Sequence, residues 1–244
     1  MGGRILDQNY FFFEEDEYDI PFYRKTPRLT RNNLIILLIG FIIAVTTPFI
    51  IPEGQHILLK ACIITIATLI PVLYTMKDNL KTIFRIPKAR DILTIIFGFL
   101  IYMALSILIS STLLALGVPT PSNNAVTTNT TLASISMIIQ ILGEELLKFI
   151  VFVITMSYAY KKYNRRNSII IALIISQLLY AVFHIPAYGL NIPHLLLSIG
   201  LVSSVLPVIY LRTKNITVTY ITHLLIDLIP TLLVLMIPTS MLLI

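Results

Sequence analysis

Beyond residue 32 the chain is almost continuously apolar, and this limits the fold more than any other feature. Seven long apolar runs cover 33–51, 57–75, 92–117, 132–160, 168–188, 194–211 and 216–237. They are 18 to 29 residues long, and a membrane-spanning helix needs about 17–25. The runs are continuous and do not alternate apolar with polar, so they read as helices and not as barrel strands. The expected fold is therefore all-α, a polytopic transmembrane bundle of seven spans. Pro230 falls inside the last run. A break there would leave 231–244 as a short eighth element.

Composition removes the alternatives. Of 244 residues 57% are hydrophobic and 12% charged, about half the usual share of charge. Mean hydropathy is +0.88. So few charges cannot clothe a soluble domain of this size. A soluble enzyme, a disordered chain and a disulfide scaffold are all excluded. The single cysteine, Cys62, allows no intrachain disulfide.

The net charge of +6 reads as topology. Arg24, Lys25, Arg28 and Arg31 precede the first run, and the loop at 53–56 has no Lys or Arg. Lys77, Lys81, Arg85, Lys88 and Arg90 follow the second run, and 118–131 has no charge. Lys161, Lys162, Arg165 and Arg166 come next, then an uncharged 189–193, then Arg212 and Lys214. The alternation places the N-terminus in the cytoplasm. The basic clusters suit anionic lipid and give no reason to expect nucleic acid. Residues 1–32 form a separate segment, acidic and aromatic from Phe11 to Asp19. It lacks the pattern of a cleaved signal. It reads as a disordered or interfacial tail, with a regulatory or partner-docking arm as the alternative, ahead of a membrane domain over 33–244.

The residues that lipid should exclude carry the functional signal. A charge at a span centre costs about 2.5–3.5 kcal/mol on insertion scales, and such residues mark sites. Glu144, Glu145, Lys148, His184, His223 and Asp227 lie deep in the runs, while Lys60 lies near an end and can snorkel. His56 and His194 also sit at run ends and read as interfacial. Residues four apart share a helix face. Ser136, Gln140, Glu144 and Lys148 make one such stripe; Ser176, Tyr180, His184 and Tyr188 a second; Thr219, His223 and Asp227 a third. Three stripes turned inward would share one cavity. Adjacent Glu144 and Glu145 diverge by about 100°, so one of them faces the centre. Lys148 can pair with either.

Two carboxylates and two histidines suit a glutamate that activates water and an oxyanion site. They also suit a catalytic divalent metal such as zinc, with ligands from separate helices, or a proton relay in a transporter or channel.

Three motifs bring a family into view. Glu144-Glu145-Leu146-Leu147-Lys148, Tyr180-Ala181-Val182-Phe183-His184 and His223-Leu224-Leu225-Ile226-Asp227 stand in order over 132–230. Together they resemble the CPBP (CAAX protease and bacteriocin-processing, or Abi) intramembrane proteases, which include the type II prenyl endopeptidases. The family's Arg position holds Phe149, with Lys148 one residue earlier. The second motif opens with Tyr180 in place of Phe, and the third closes with Asp227 where prenyl endopeptidases usually have Asn.

The resemblance implies an endopeptidase that works without a metal cofactor on a membrane-associated protein or peptide. It implies that Glu144 is the general base and that His184 positions the water. His223 and Asp227 would hold the oxyanion, with Asp227 protonated or orienting His223. Glu145 would be structural or paired with Lys148, and Tyr180 supporting. A transporter, and a catalytically silent relative in bacteriocin self-immunity, remain as alternatives.

One expectation is geometric. At 1.5 Å per residue, His223 lies about 12 Å from the loop at Asn215, His184 about 25 Å from Asn167 and Glu144 about 25 Å from Lys161. Equal loop depths would misalign the three.

Overall fold

The computed structural model describes residues 10–15, 17–24, 28–52, 54–118 and 130–236. They form an all-α bundle. The long helices are α1 (Arg31–Ile50), α2 (Ile57–Thr75), α4 (Ala89–Ala115), α5 (Thr130–Ala159), α6 (Arg165–Phe183) and α9 (Ile216–Met236). Between them lie α3 (Leu80–Ile83), α7 (Ile185–Tyr188), a π-helical stretch (His194–Leu201) and α8 (Val205–Thr213). Among the described residues, five segments are long and apolar enough to cross a membrane: α1, α2, α4, α6 and His194–Thr213. A shorter apolar helix covers Ile216–Thr231. Helix α5 carries both glutamates and Lys148 at its centre.

The ends follow local chemistry. Thr30 caps α1 by accepting the Asn33 N–H at 3.2 Å, and Asn164 caps α6 by accepting the Asn167 N–H at 2.8 Å. Helix α8 ends where Lys214 adopts a left-handed φ of 51°. Helix α9 continues through Pro230; the residues of the expected eighth element beyond 236 lie outside those described. The expected fifth run, 168–188, is divided. Helix α6 stops at Phe183, and the Pro186 ring, without an N–H, opens the short α7.

Helix α5 is the central post, packed against α2, α6 and α9. Its close fit to α2 depends on Gly143. A Cβ there would lie 2.8 Å from Thr65 Oγ1 and 3.0 Å from Thr65 Cα, while the Thr65 hydroxyl donates to the Ile139 carbonyl at 2.7 Å.

The acidic-aromatic segment departs from expectation. Residues 10–15 and 17–24 do not trail into solvent. Ile20, Phe22 and Tyr23 join the core of Phe149, Phe152 and Tyr210. Glu14, whose side chain is 1% exposed, pairs with Arg165 at 2.6 Å and with Lys214 at 2.7 Å. Tyr23 accepts from Arg165 at 3.1 Å and donates to Asp19 at 2.5 Å. Composition alone counted the acids as solvated. In the fold they neutralise the basic helix ends that they cover. Burial pushes the Glu14 carboxyl up, but Arg165 and Lys214 outweigh it and hold the group below the usual 4.5.

The same cover buries the α8–α9 turn. The α8–α9 turn is not at the surface: Lys214 and Asn215 are 1% exposed. The Asn215 side chain accepts from the Arg85 N–H at 3.2 Å and donates to the Arg85 carbonyl at 3.1 Å. His223 and His184 line the same cavity.

Candidate active site

A cavity of about 360 Å³ lies between α2, α4, α5, α6, α7 and α9. Glu144, Tyr180, His184, His223 and Asp227 all line it, with Gln140 and Ser136 above Glu144 on α5. The three motifs thus meet in one place. Not every stripe residue does. The Ser176 hydroxyl donates to the Leu173 carbonyl and the Thr219 hydroxyl to the Ile216 carbonyl, each satisfied within its own helix. Tyr188 does line the cavity, although it sits on α7 and not on α6.

The two glutamates part as their 100° offset requires. Glu144 faces the cavity. Its carboxylate accepts from Tyr180 Oη at 2.6 Å and from Gln140 Nε2 at 2.8 Å. Glu145 turns to the other side of α5, where it accepts from Lys148 Nζ at 2.5 Å and meets His223 Nδ1 at 2.6 Å. Lys148 therefore pairs with Glu145, and its ammonium also lies 4.5 Å from the Tyr180 ring centroid. One buried cation holds both the second carboxylate and the tyrosine that touches the first.

Hydrogen-bond partners set the tautomers. His184 Nδ1 lies 2.9 Å from the Tyr180 carbonyl oxygen. A carbonyl only accepts, so Nδ1 carries the proton and Nε2 holds the lone pair when the ring is neutral. His223 Nδ1 faces a carboxylate and likewise donates. Its Nε2 lies 3.6 Å from Asp227 Oδ2. The Asp227 side chain is 39% exposed. The His184 ring packs against Tyr180 at 4.5 Å and Tyr188 at 6.0 Å between centroids.

Two lining residues were misread or missed in the sequence. Lys60 does not snorkel; it is 2% exposed and lines the cavity. Tyr102 of α4 lines it as well, yet an isolated tyrosine in an apolar run carries no signal. His194 stands at the first residue of its apolar segment. It is 8% exposed, its ring is 4.9 Å from that of Tyr188, and neither ring nitrogen has a partner. Among the described residues no group of three His, Cys, Asp or Glu side chains has the geometry to hold a metal ion.

A multi-pass helical membrane protein with carboxylates and histidines converging on one cavity is the class these features define. A family profile, Rce1-like (type II CAAX prenyl endopeptidase Rce1-like), matches residues 126–229. That stretch holds all three motifs, and over it the chain is similar to the type II CAAX prenyl endopeptidases. No curated protein and no solved structure matches the chain.

Proposed function

We propose that the protein is an intramembrane endopeptidase that hydrolyses a peptide bond of a membrane-associated protein or peptide with water activated by Glu144. The observation that carries this reading is the convergence on one cavity of Glu144 from α5, His184 from the end of α6, and His223 and Asp227 from α9.

The chemistry follows from the contacts. Glu144 is fixed by Tyr180 and Gln140, which leaves it lone pairs for a water. His184, with Nδ1–H committed to the Tyr180 carbonyl, accepts that water's second hydrogen at Nε2. Glu144 takes one proton, and the hydroxide adds to the scissile carbonyl carbon. The carbonyl oxygen becomes an oxyanion. His223 is held by Glu145 at Nδ1 and meets it with Nε2–H as imidazolium, with Asp227 alongside as counter-charge. Glu144 then returns its proton to the leaving amine as the C–N bond breaks. Lys148 and Glu145 act through His223 and are positioning residues.

No step requires a metal ion. The reading thus favours the metal-independent form over the zinc alternative, and a chelator separates the two. The test is cleavage of a fluorogenic peptide library by purified protein in detergent with 1,10-phenanthroline present. Wild type cleaves under the proposal, while Glu144→Ala and His184→Ala do not. Cleavage that persists in both variants, or that the chelator abolishes and zinc restores, overturns it.

A further inference from the structure

The two ends of the bundle differ. Every basic loop gathers at one end: Arg85, Lys88 and Arg90, then Arg165, then Arg212 and Lys214. Residues 10–24 cover that end. Glu14, Arg165 and Lys214 are each 1% exposed there, and Ile20, Phe22 and Tyr23 pack beneath them.

The cavity belongs to the other end. On α2 its lining is confined to the first turn, Ile57 and Lys60. On α5 it covers 133–144, in the first half of the helix, and on α6 it touches only Tyr180 and the following His184. At 1.5 Å per residue, Lys60 lies about 22 Å from the basic end of α2, Glu144 about 22 Å from that of α5 and His184 about 28 Å from Arg165. Asp227 lies about 18 Å beyond Asn215, with Thr231 of the lining further still. Ala187 of α7 is both exposed and part of the lining, so the cavity reaches solvent or lipid on this side. The uncharged turns near 54–56 and 189–193 frame the same end.

Basic loops stay on the cytoplasmic side. We infer that the cavity receives its substrate from the extracytoplasmic face, and that the bond cleaved lies in the outer half of a membrane-anchored peptide or just beyond it. The inference rests on the endopeptidase reading for the word substrate, but not for the side of access.

The test reads access without activity. In a Cys62→Ser background, Ala187→Cys and, separately, Ala133→Cys place a thiol on the cavity wall; Lys161→Cys, on the exposed α5–α6 turn, marks the basic end. A membrane-impermeant maleimide is added to sealed right-side-out and inside-out vesicles. The cavity variants should label in right-side-out vesicles and lose that labelling in inside-out ones, and Lys161→Cys should do the reverse. Cavity variants that label with Lys161→Cys, that label from the inner face, or that label only after permeabilisation overturn the inference. Two cavity positions guard against one variant failing to fold. Failure of the endopeptidase reading is recognised separately, as absence of cleavage by wild type in detergent, and leaves the labelling result standing.

Discussion

Glu144 and Glu145 are adjacent, identical in chemistry and unlike in work. Glu144 faces the cavity through Tyr180 and Gln140, and Glu145 faces Lys148 and His223. The two substitutions should therefore fail differently. Glu144→Gln keeps the size and the contact with Tyr180 but removes the base. Its kcat should fall by roughly 10²–10⁴ with thermal unfolding in detergent unchanged. Glu145→Gln strands a buried lysine. It should cost about 3–5 kcal/mol of stability as well as activity. Adding Lys148→Met to Glu145→Gln should restore most of the stability and none of the activity. A double variant no more stable than the single would mean that Lys148 has another partner.

Helices here approach where glycine lets them. Gly40 of α1 faces α2 so closely that a Cβ would lie 2.2 Å from the Ala67 carbonyl oxygen, which is backbone and cannot turn aside. Gly98 of α4 is equally tight on paper, 2.3 Å from Ile209 Cδ1, but that atom is the free end of a side chain. Gly40→Ala should cost about 1–3 kcal/mol and Gly98→Ala much less, as read by thermal unfolding of the purified proteins. Equal losses would contradict the packing described. Helix α6 shows a second use of local chemistry. It stops at Phe183, and the turn that follows presents His184 and Tyr188 to the cavity. The 3.6-residue spacing placed both on one continuous face; the Pro186 break keeps them together by another route.

The covered basic end ties the N-terminal segment to the bundle. Its central group is Glu14, whose folded-state carboxyl is held below 4.5. A group depressed in this way adds stability above its unfolded value and loses it as pH falls through the folded one. Docking of residues 10–24 should therefore be complete at neutral pH and weaken below about pH 4.5. Limited proteolysis across that range reads it, and a segment equally protected at pH 3 would refute the role given to Glu14. Glu14→Gln leaves Arg165 and Lys214 buried with less compensation. It should loosen the segment at every pH and flatten the pH response.

The all-α membrane bundle, the order of its apolar helices, the basic loops and the three motifs were legible in the residues, because lipid imposes length, hydropathy and charge rules that act locally. So was the divergence of Glu144 from Glu145, since adjacent residues on any helix point about 100° apart. Which partner each glutamate takes was not legible. Lys148 is close to both along α5, and only the arrival of α9 with His223 and of α6 with Tyr180 assigns them. Lys60 is buried in the first turn of α2, on a cavity that α4, α5 and α9 also line. The docking of Glu14 depends on contacts with Arg165 and Lys214, 151 and 200 residues away along the chain. Composition decides what a segment can tolerate, but pairing across such separations is settled only when the helices have packed. The burial of the α8–α9 turn, where Lys214 and Asn215 are 1% exposed, was set in the same way.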